Sequence, residues 1–95
     1  MPKLLIYETA KGVWIFLIFG TDQNENRIHV HVGRKDTKNY CKIWLEPKVE
    51  IAKEGDLTKS QIKEVLALAE QYREKLVSQW KAYMKGTMKM ITIKK

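Results

Sequence analysis

A stretch of alternating residues, 27–46, constrains the fold of this chain more than any other. Successive side chains of a β-strand point to opposite faces, so the alternation predicts an antiparallel hairpin with its turn at residues 35–38. In that register Val30 pairs with Ile43, and one face of the hairpin is wholly apolar. Its members are Ile28, Val30, Val32, Cys41, Ile43 and Leu45. We expect this face to pack against the protein core.

The opposite face of the hairpin, which we call the histidine face, collects polar and aromatic side chains. They are Arg27, His29, His31, Tyr40, Lys42, Trp44 and Glu46. In the predicted register His31 lies across from Lys42, and His29 lies across from Trp44. We expect the function of the protein to depend on this face.

Three further segments predict the rest of the sheet. Residues 4–7 favour a strand at a sheet edge, and residues 49–52, after Pro47, favour a short strand. Residues 20–26 are a polar loop. Residues 13–19 are apolar at every position, which predicts a strand near the sheet centre, covered on both faces. That strand adds one of two apolar rows to the histidine face, either Val13, Ile15, Leu17 and Phe19 or Trp14, Phe16 and Ile18.

The hydrophobic period changes to steps of three and four over residues 58–85, which predicts one long amphipathic helix. Thr58 and Gln61 form a capping box at its start, and Gly86 marks its end. At about 1.5 Å per residue the helix outreaches a sheet of short strands, so its second half must project or bend. Residues 88–93 alternate again and predict a last strand, added to the sheet edge or exchanged with a second protomer in a homodimer.

Together these elements predict one α+β domain over residues 1–95, an antiparallel sheet of about four to five strands packed on one long C-terminal helix. The sheet occupies residues 1–53 and the helix residues 58–85, and residues 86–95 are a basic tail or a final strand. A hydrophobic content of 44% is that of a globular chain, so we expect the protein to fold.

The formal charge of +7 is concentrated in residues 73–95, which hold seven Lys or Arg and one acidic residue. Such a bias attracts nucleic acid or an acidic protein without specifying either. The longest apolar run is too short to span a membrane, and the amino terminus lacks the features of an export signal. Cys41 is the one cysteine, so no internal disulfide forms and a reducing cytoplasm fits best.

The histidine face suits more than one kind of catalytic or metal chemistry. His29 and His31, side by side on a strand, match metal-ligand spacing, but Glu46 is the one acidic residue on that face, so we expect no metal. For catalysis, His29 or His31 beside Lys42, Tyr40 and Arg27 resembles the set of residues found in small ribonucleases, where a base activates a 2′-hydroxyl and cations stabilise the phosphate charge. No P-loop, dinucleotide glycine pattern or nucleophile elbow is present, so we expect no cofactor.

RNA binding without catalysis is a further reading of the same residues. Tyr40 and Trp44 would stack on bases, and nearby cations would contact phosphates, namely Arg34, Lys35, Lys38 and Lys42. The remaining alternative is that the histidines and aromatic rings only pack and bond to polar neighbours on a half-exposed strand pair.

Three motifs occur in a characteristic order: His-Val-His-Val at residues 29–32, Lys-Ile-Trp-Leu at residues 42–45, and Glu-Gln-Tyr-Arg-Glu-Lys-Leu at residues 70–76, followed by Trp80. In this the chain resembles the bacterial family called domain of unknown function 4160, over about residues 13–85. The resemblance points to four residues of the histidine face, His29, His31, Lys42 and Trp44. It also implies a toxin–antitoxin module, in which the basic charge would face RNA or an acidic antitoxin.

We therefore expect a small cytoplasmic protein of toxin–antitoxin type that acts on or binds RNA through the histidine face and pairs with an antitoxin-like protein. The alternative is a non-catalytic interaction module that docks another protein or a second copy of itself.

Overall fold

A computed structural model describes residues 2–19 and 26–95 of the protein. Within them the chain forms β1 (Lys3–Thr9), β2 (Gly12–Leu17), β3 (His29–Gly33), β4 (Cys41–Trp44), β5 (Glu50–Lys53), α1 (Lys59–Gln71), α2 (Arg73–Lys85) and β6 (Ile91–Lys94). The α+β class is confirmed. The polar loop predicted at residues 20–26 lies, except for Asn26, outside the described residues.

The strands form one sheet in the order β5-β4-β3-β2-β1-β6. β2 lies near the sheet centre, as its apolar composition predicts. The sheet has six strands and is mixed rather than antiparallel, because β6 pairs with β1 in parallel. The prediction that β1 is an edge strand is therefore wrong. The two helices carry the chain back across the sheet before β6 begins, which is the long connection that a parallel pair requires.

The predicted register of the hairpin formed by β3 and β4 is confirmed. Val32 pairs with Cys41 and Val30 pairs with Ile43. The connection is longer than the predicted turn and runs over residues 34–40. A bond from the Thr37 amide to the Arg34 carbonyl, 3.0 Å long, closes the first part of this loop.

The predicted single helix is two helices, α1 and α2, divided at Tyr72 (φ −107°, ψ 19°). The capping box is confirmed, since the Gln61 amide donates to Oγ1 of Thr58 over 3.2 Å, and α2 ends at Gly86 as predicted. A straight helix of this length would extend about 40 Å at 1.5 Å per residue, whereas the longest dimension of the fold is 33 Å. The bend keeps both helices on the sheet, where the Tyr72 ring packs on Tyr7.

Both helices cover the face of the sheet that the hairpin turns toward the core. The core cluster joins the apolar residues of the hairpin to Val65, Leu68, Ala69, Tyr72 and Leu76 of the helical segment. Trp80 and Tyr83 pack against this cluster, as do Ile91 and Ile93 of β6. The last strand thus finds its place within its own chain, and exchange with a second protomer is not needed to form it. In the described part of the chain, neither helix is long and apolar enough to cross a membrane.

Candidate functional site

The pairing of β3 with its two neighbours builds the histidine face. His31 pairs with Lys42 and His29 with Trp44, as predicted from the alternation. On the other side Leu17 of β2 pairs with His31. Of the two apolar rows weighed from the sequence, the one containing Leu17 therefore lies on the histidine face. The ring of Phe19, just beyond β2, lies 4.4 Å from that of His31, measured between centroids.

Both histidines are buried, His29 fully and His31 with 9% of its surface exposed. Nδ1 of His29 lies 2.8 Å from the carbonyl oxygen of Arg27. Because a carbonyl can only accept, Nδ1 is the donor in this bond and carries a proton. The ring stands edge-on to His31 at 5.3 Å and to Trp44 at 5.6 Å. His29 is thus held by its backbone bond and by two aromatic contacts.

Trp44 is half-buried under cations rather than open for stacking. The Arg27 guanidinium carbon lies 4.3 Å from the Trp44 ring centroid, and Nζ of Lys42 lies 4.5 Å from it. Arg27 is fixed over the ring by a 2.8 Å bond from Nε to the Glu46 carbonyl and by an ion pair with Glu50. The structure therefore makes Trp44 a platform for the protein's own cations.

A pocket of about 430 Å³ opens beside His31, and we call it the basic pocket. It is lined by Phe19, His31, Lys38, Asn39, Tyr40, Lys42, Lys53 and Gly55. Three lysines contribute to it, and none of the described residues that line it is acidic. The rings of Phe19 and Tyr40 meet edge to face at 6.0 Å. The pocket therefore combines positive charge with aromatic surface.

The rim of the basic pocket is closed by contacts between the loop after β5 and the hairpin loop. Asp56 accepts from the Asn39 amide at 3.0 Å and from the Asn39 side chain at 3.1 Å. These two bonds, backbone first, hold the pKa of the Asp56 carboxyl below its usual 3.8. Gly55 has φ +63°, and a Cβ there would overlap the backbone of Asn39 and Tyr40. The close approach of the two loops therefore requires glycine.

Not every residue predicted for the site lies in it. Lys38, Tyr40 and Lys42 line the basic pocket with His31. Arg34 lies at a different pocket, with its guanidinium 3.9 Å from the Trp14 ring centroid. Lys35 is exposed on the hairpin loop.

Sequence reasoning missed two contributors to the basic pocket. The alternation assigns Phe19 only to an apolar row, and Lys53 follows directly after the strand predicted at residues 49–52. Lys53 pairs with Lys42 across β4 and β5. The signal that would have found it is the position of β5 next to β4, since a neighbouring strand brings its side chains to the same face.

Cys41 lies on the core face, away from the histidines, and is fully buried. Burial, with a smaller effect of Glu54, raises the pKa of its thiol from 9.0 to about 11. A thiol held protonated in this way is a poor nucleophile and a poor metal ligand. Among residues 2–19 and 26–95, no three His, Cys, Asp or Glu side chains are grouped so that they could hold a metal ion.

Comparison with known proteins gives a single match. No curated protein and no solved structure matches the chain. One family profile, described as a domain of unknown function (DUF4160), matches residues 12–81. The matched region contains β2 to β5, α1 and most of α2, and with them the histidine face and the basic pocket. The resemblance read from the motifs is confirmed, and the chain belongs to the DUF4160 family.

Proposed function

We propose that the protein binds single-stranded RNA at the basic pocket. The observation that carries this proposal is the grouping of three lysines, Lys38, Lys42 and Lys53, with the rings of Phe19 and Tyr40 around one cavity. Single-stranded RNA offers what such a cavity recognises, since its phosphates pair with lysines and its unstacked bases pack on aromatic rings. A volume of about 430 Å³ lies within the range of small-ligand pockets and suits one nucleotide.

His31 brings an imidazole to this pocket, and we propose it as the acid–base group of an RNA-cleaving reaction. In such a reaction a base takes the proton of a 2′-hydroxyl, and a cation stabilises the charge that builds up on the phosphate. Lys42, directly across from His31, supplies that cation. His29 is buried behind His31 and acts as a positioning residue rather than as a contact to RNA.

The binding test compares two double variants that each remove two lysine charges, one pair in the basic pocket and one pair outside it. Affinity for a short fluorescein-labelled oligouridylate is measured by anisotropy at several salt concentrations. With Lys42→Gln and Lys53→Gln together, the slope of log affinity against log salt should fall by about 1.4, because each phosphate contact on a single strand contributes about 0.7. The control replaces Lys59 and Lys63, two exposed lysines of α1, by Gln. If the slope falls equally in both double variants, RNA binding depends on the overall basic charge of the protein and not on the lysines of the basic pocket.

Cleavage is tested separately from binding. Purified His31→Asn should bind the oligouridylate as the wild type does but leave total RNA intact, whereas the wild type degrades it. If the wild type binds RNA without cleaving it, the protein is an RNA-binding module and His31 has no acid–base role.

We further propose that this activity belongs to the toxin-like component of a toxin–antitoxin pair in the cytoplasm. Support comes from the basic balance of +7, which would attract an acidic antitoxin. Induced wild-type protein should arrest growth, and the His29→Ala/His31→Ala double variant should not. Normal growth with both proteins would contradict the toxin role. RNA binding would then be tested by the anisotropy measurements alone.

A protein-interaction role of the segment that joins α2 to β6 is a second candidate. Met84, near the end of α2, and Met90, just before β6, are 37% and 49% exposed, and exposed apolar side chains favour association. The mass in solution decides this candidate. A dimer that Met84→Gln/Met90→Gln converts to a monomer supports it, and a wild-type monomer that captures no protein encoded beside it contradicts it.

A further inference from the structure

A second cavity of about 600 Å³ lies between α1 and the turn that joins β1 to β2, and the proposed RNA site does not include it. Its main walls are the rings of Tyr7 and Trp14 and the side chain of Leu68. Its charged groups are those of Lys11, Arg34 and Glu64. We infer that this cavity binds a small organic monocarboxylate with an aromatic body, held by a pair of hydrogen bonds from the Arg34 guanidinium.

Arg34 is fixed in the cavity but keeps bonding capacity for a ligand. Its guanidinium stacks on Trp14 at 3.9 Å, and its Nη1 donates to the Val13 carbonyl over 3.2 Å. No acidic residue in the described part of the chain pairs with it, and its Nε and Nη2 have no protein acceptor there. The guanidinium fork of an arginine matches the two oxygens of a carboxylate, and stacking holds the fork in place before binding.

The surrounding backbone is shaped to admit this side chain. Gly12 has φ +144°, and a Cβ built on it would overlap Nη1 of Arg34. Glycine at this turn therefore lets the guanidinium lie against the backbone. Trp14 is only 2% exposed, and its Nε1 donates to Oε2 of Glu64 over 2.6 Å. One indole thus orients both charged groups, and the site is built from contacts among a turn, a strand, a loop and a helix.

The balance of charge selects the class of ligand. Arg34 and Lys11 bring two positive charges to the cavity, and Glu64 brings one negative charge, which leaves one positive charge to be neutralised. A monoanion satisfies this balance, whereas the second charge of a phosphate dianion would be repelled by Glu64. The aromatic and aliphatic walls favour a ligand whose remaining atoms are apolar.

The test uses phenylacetate as the probe, phenylacetamide as its neutral counterpart and inorganic phosphate as a dianion. Binding is followed by ¹H–¹⁵N NMR through the indole signal of Trp14 and the Nε signal of Arg34. Phenylacetate should shift both signals and the other two compounds should not. Arg34→Gln should weaken phenylacetate binding by about tenfold or more, because the guanidinium supplies both the positive charge and the paired hydrogen bonds that hold the carboxylate. Glu64→Gln keeps an acceptor for Trp14 and should strengthen phenylacetate binding about threefold.

Arg34→Gln and Glu64→Gln are expected to change phenylacetate affinity in opposite directions, so a general loss of folding in one variant cannot reproduce both results. Equal binding of phenylacetate and phenylacetamide would overturn carboxylate recognition. Shifts that map to the histidine face, or affinities that neither Arg34→Gln nor Glu64→Gln changes, would overturn the site. Absence of binding by phenylacetate at millimolar concentration would overturn the ligand class. Because no residue of the RNA pocket is altered, these results are independent of the RNA-binding test.

Discussion

Gly55 lies against the carbonyl oxygen of Asn39 so closely that a side chain at position 55 would overlap it. This contact brings the loop after β5 onto the hairpin loop and completes the rim of the basic pocket. The amide of Asp56 then reaches the same carbonyl with a 2.9 Å bond. The shape of the pocket therefore depends on one backbone position in the left-handed region.

Replacement of Gly55 by Ala should destabilise the protein by about 2–4 kcal/mol, because a left-handed conformation is strained for alanine and the new Cβ displaces backbone. Urea unfolding measures the change. The matched control is Gly86→Ala, since Gly86 also has a positive φ of 78° but no atom lies within 4 Å of its Cβ position. That variant should lose only about 1 kcal/mol. Equal losses would mean that the contact with Asn39 contributes nothing.

The bonds from Asn39 should make Asp56 a more acidic carboxyl. Its pKa lies below 3.8 in the folded protein, so the stability that it contributes is present at neutral pH and is lost as the pH falls through the folded pKa. A ¹³C NMR titration of the carboxyl should show this low pKa, and in Asn39→Ala the pKa should rise because the side-chain bond is removed. An unchanged titration in the variant would assign the whole effect to backbone amides.

Cys41 should make the protein less stable at high pH. The folded state keeps the thiol proton up to about pH 11, whereas the unfolded chain releases it from about pH 9. The unfolded state then binds fewer protons, so stability falls between these two values, by at most about 1.4 kcal/mol per pH unit.

Unfolding by urea at several pH values checks this prediction, with Cys41→Ala as the reference. Lysines and tyrosines titrate in both proteins, so the difference in unfolding free energy between them isolates the thiol. This difference should shrink as the pH rises from 9 to 11. A difference that stays constant over this range would show that the thiol is not shielded from ionisation.

Strict alternation was enough to predict the hairpin and its two faces. A slip of one residue in register would have moved Val30 and His31 to the wrong faces, so the alternation determined the two faces. The turn predicted at residues 35–38 then selected one register among those that keep these faces. The run at residues 13–19 has no such alternation, and the sequence could not decide that Leu17 rather than Phe16 joins the histidine face. That choice depends on how β2 pairs with β3, which is a tertiary contact.

The position of the helix bend, at Tyr72, and the parallel pairing of β6 escaped prediction for a related reason. No proline or glycine marks the bend, and the helical period continues through it, because both helices must remain on the sheet. The position of the Arg34 side chain was likewise not predictable from the sequence. Its long side chain extends from the hairpin loop into the cavity between α1 and the turn that joins β1 to β2. Gly12 has no side chain there, which leaves space for the guanidinium. A local sequence pattern does not show where two segments distant in sequence leave space for a side chain.

Gln79 should hold β6 in its place beside β1. It is 8% exposed, and its Nε2 donates to the carbonyls of Leu4 and Lys89 at 2.8 and 2.6 Å. Gln79→Ala leaves both carbonyls without this donor, so we expect a loss of about 2 kcal/mol. Amide hydrogen exchange should speed up in β6 more than in β2 or β3, because β6 pairs with one neighbour only.

The control for this change is Gln71→Ala, which removes the same side chain from an exposed position of α1. Its 3.3 Å bond to the Tyr72 hydroxyl is partly exposed, so its loss should change stability by no more than about 0.5 kcal/mol. Faster exchange throughout the sheet in Gln79→Ala would mean that the residue supports the whole core. Unchanged exchange in β6 would mean that packing of Ile91 and Ile93, rather than the two bonds from Gln79, keeps the last strand on the sheet.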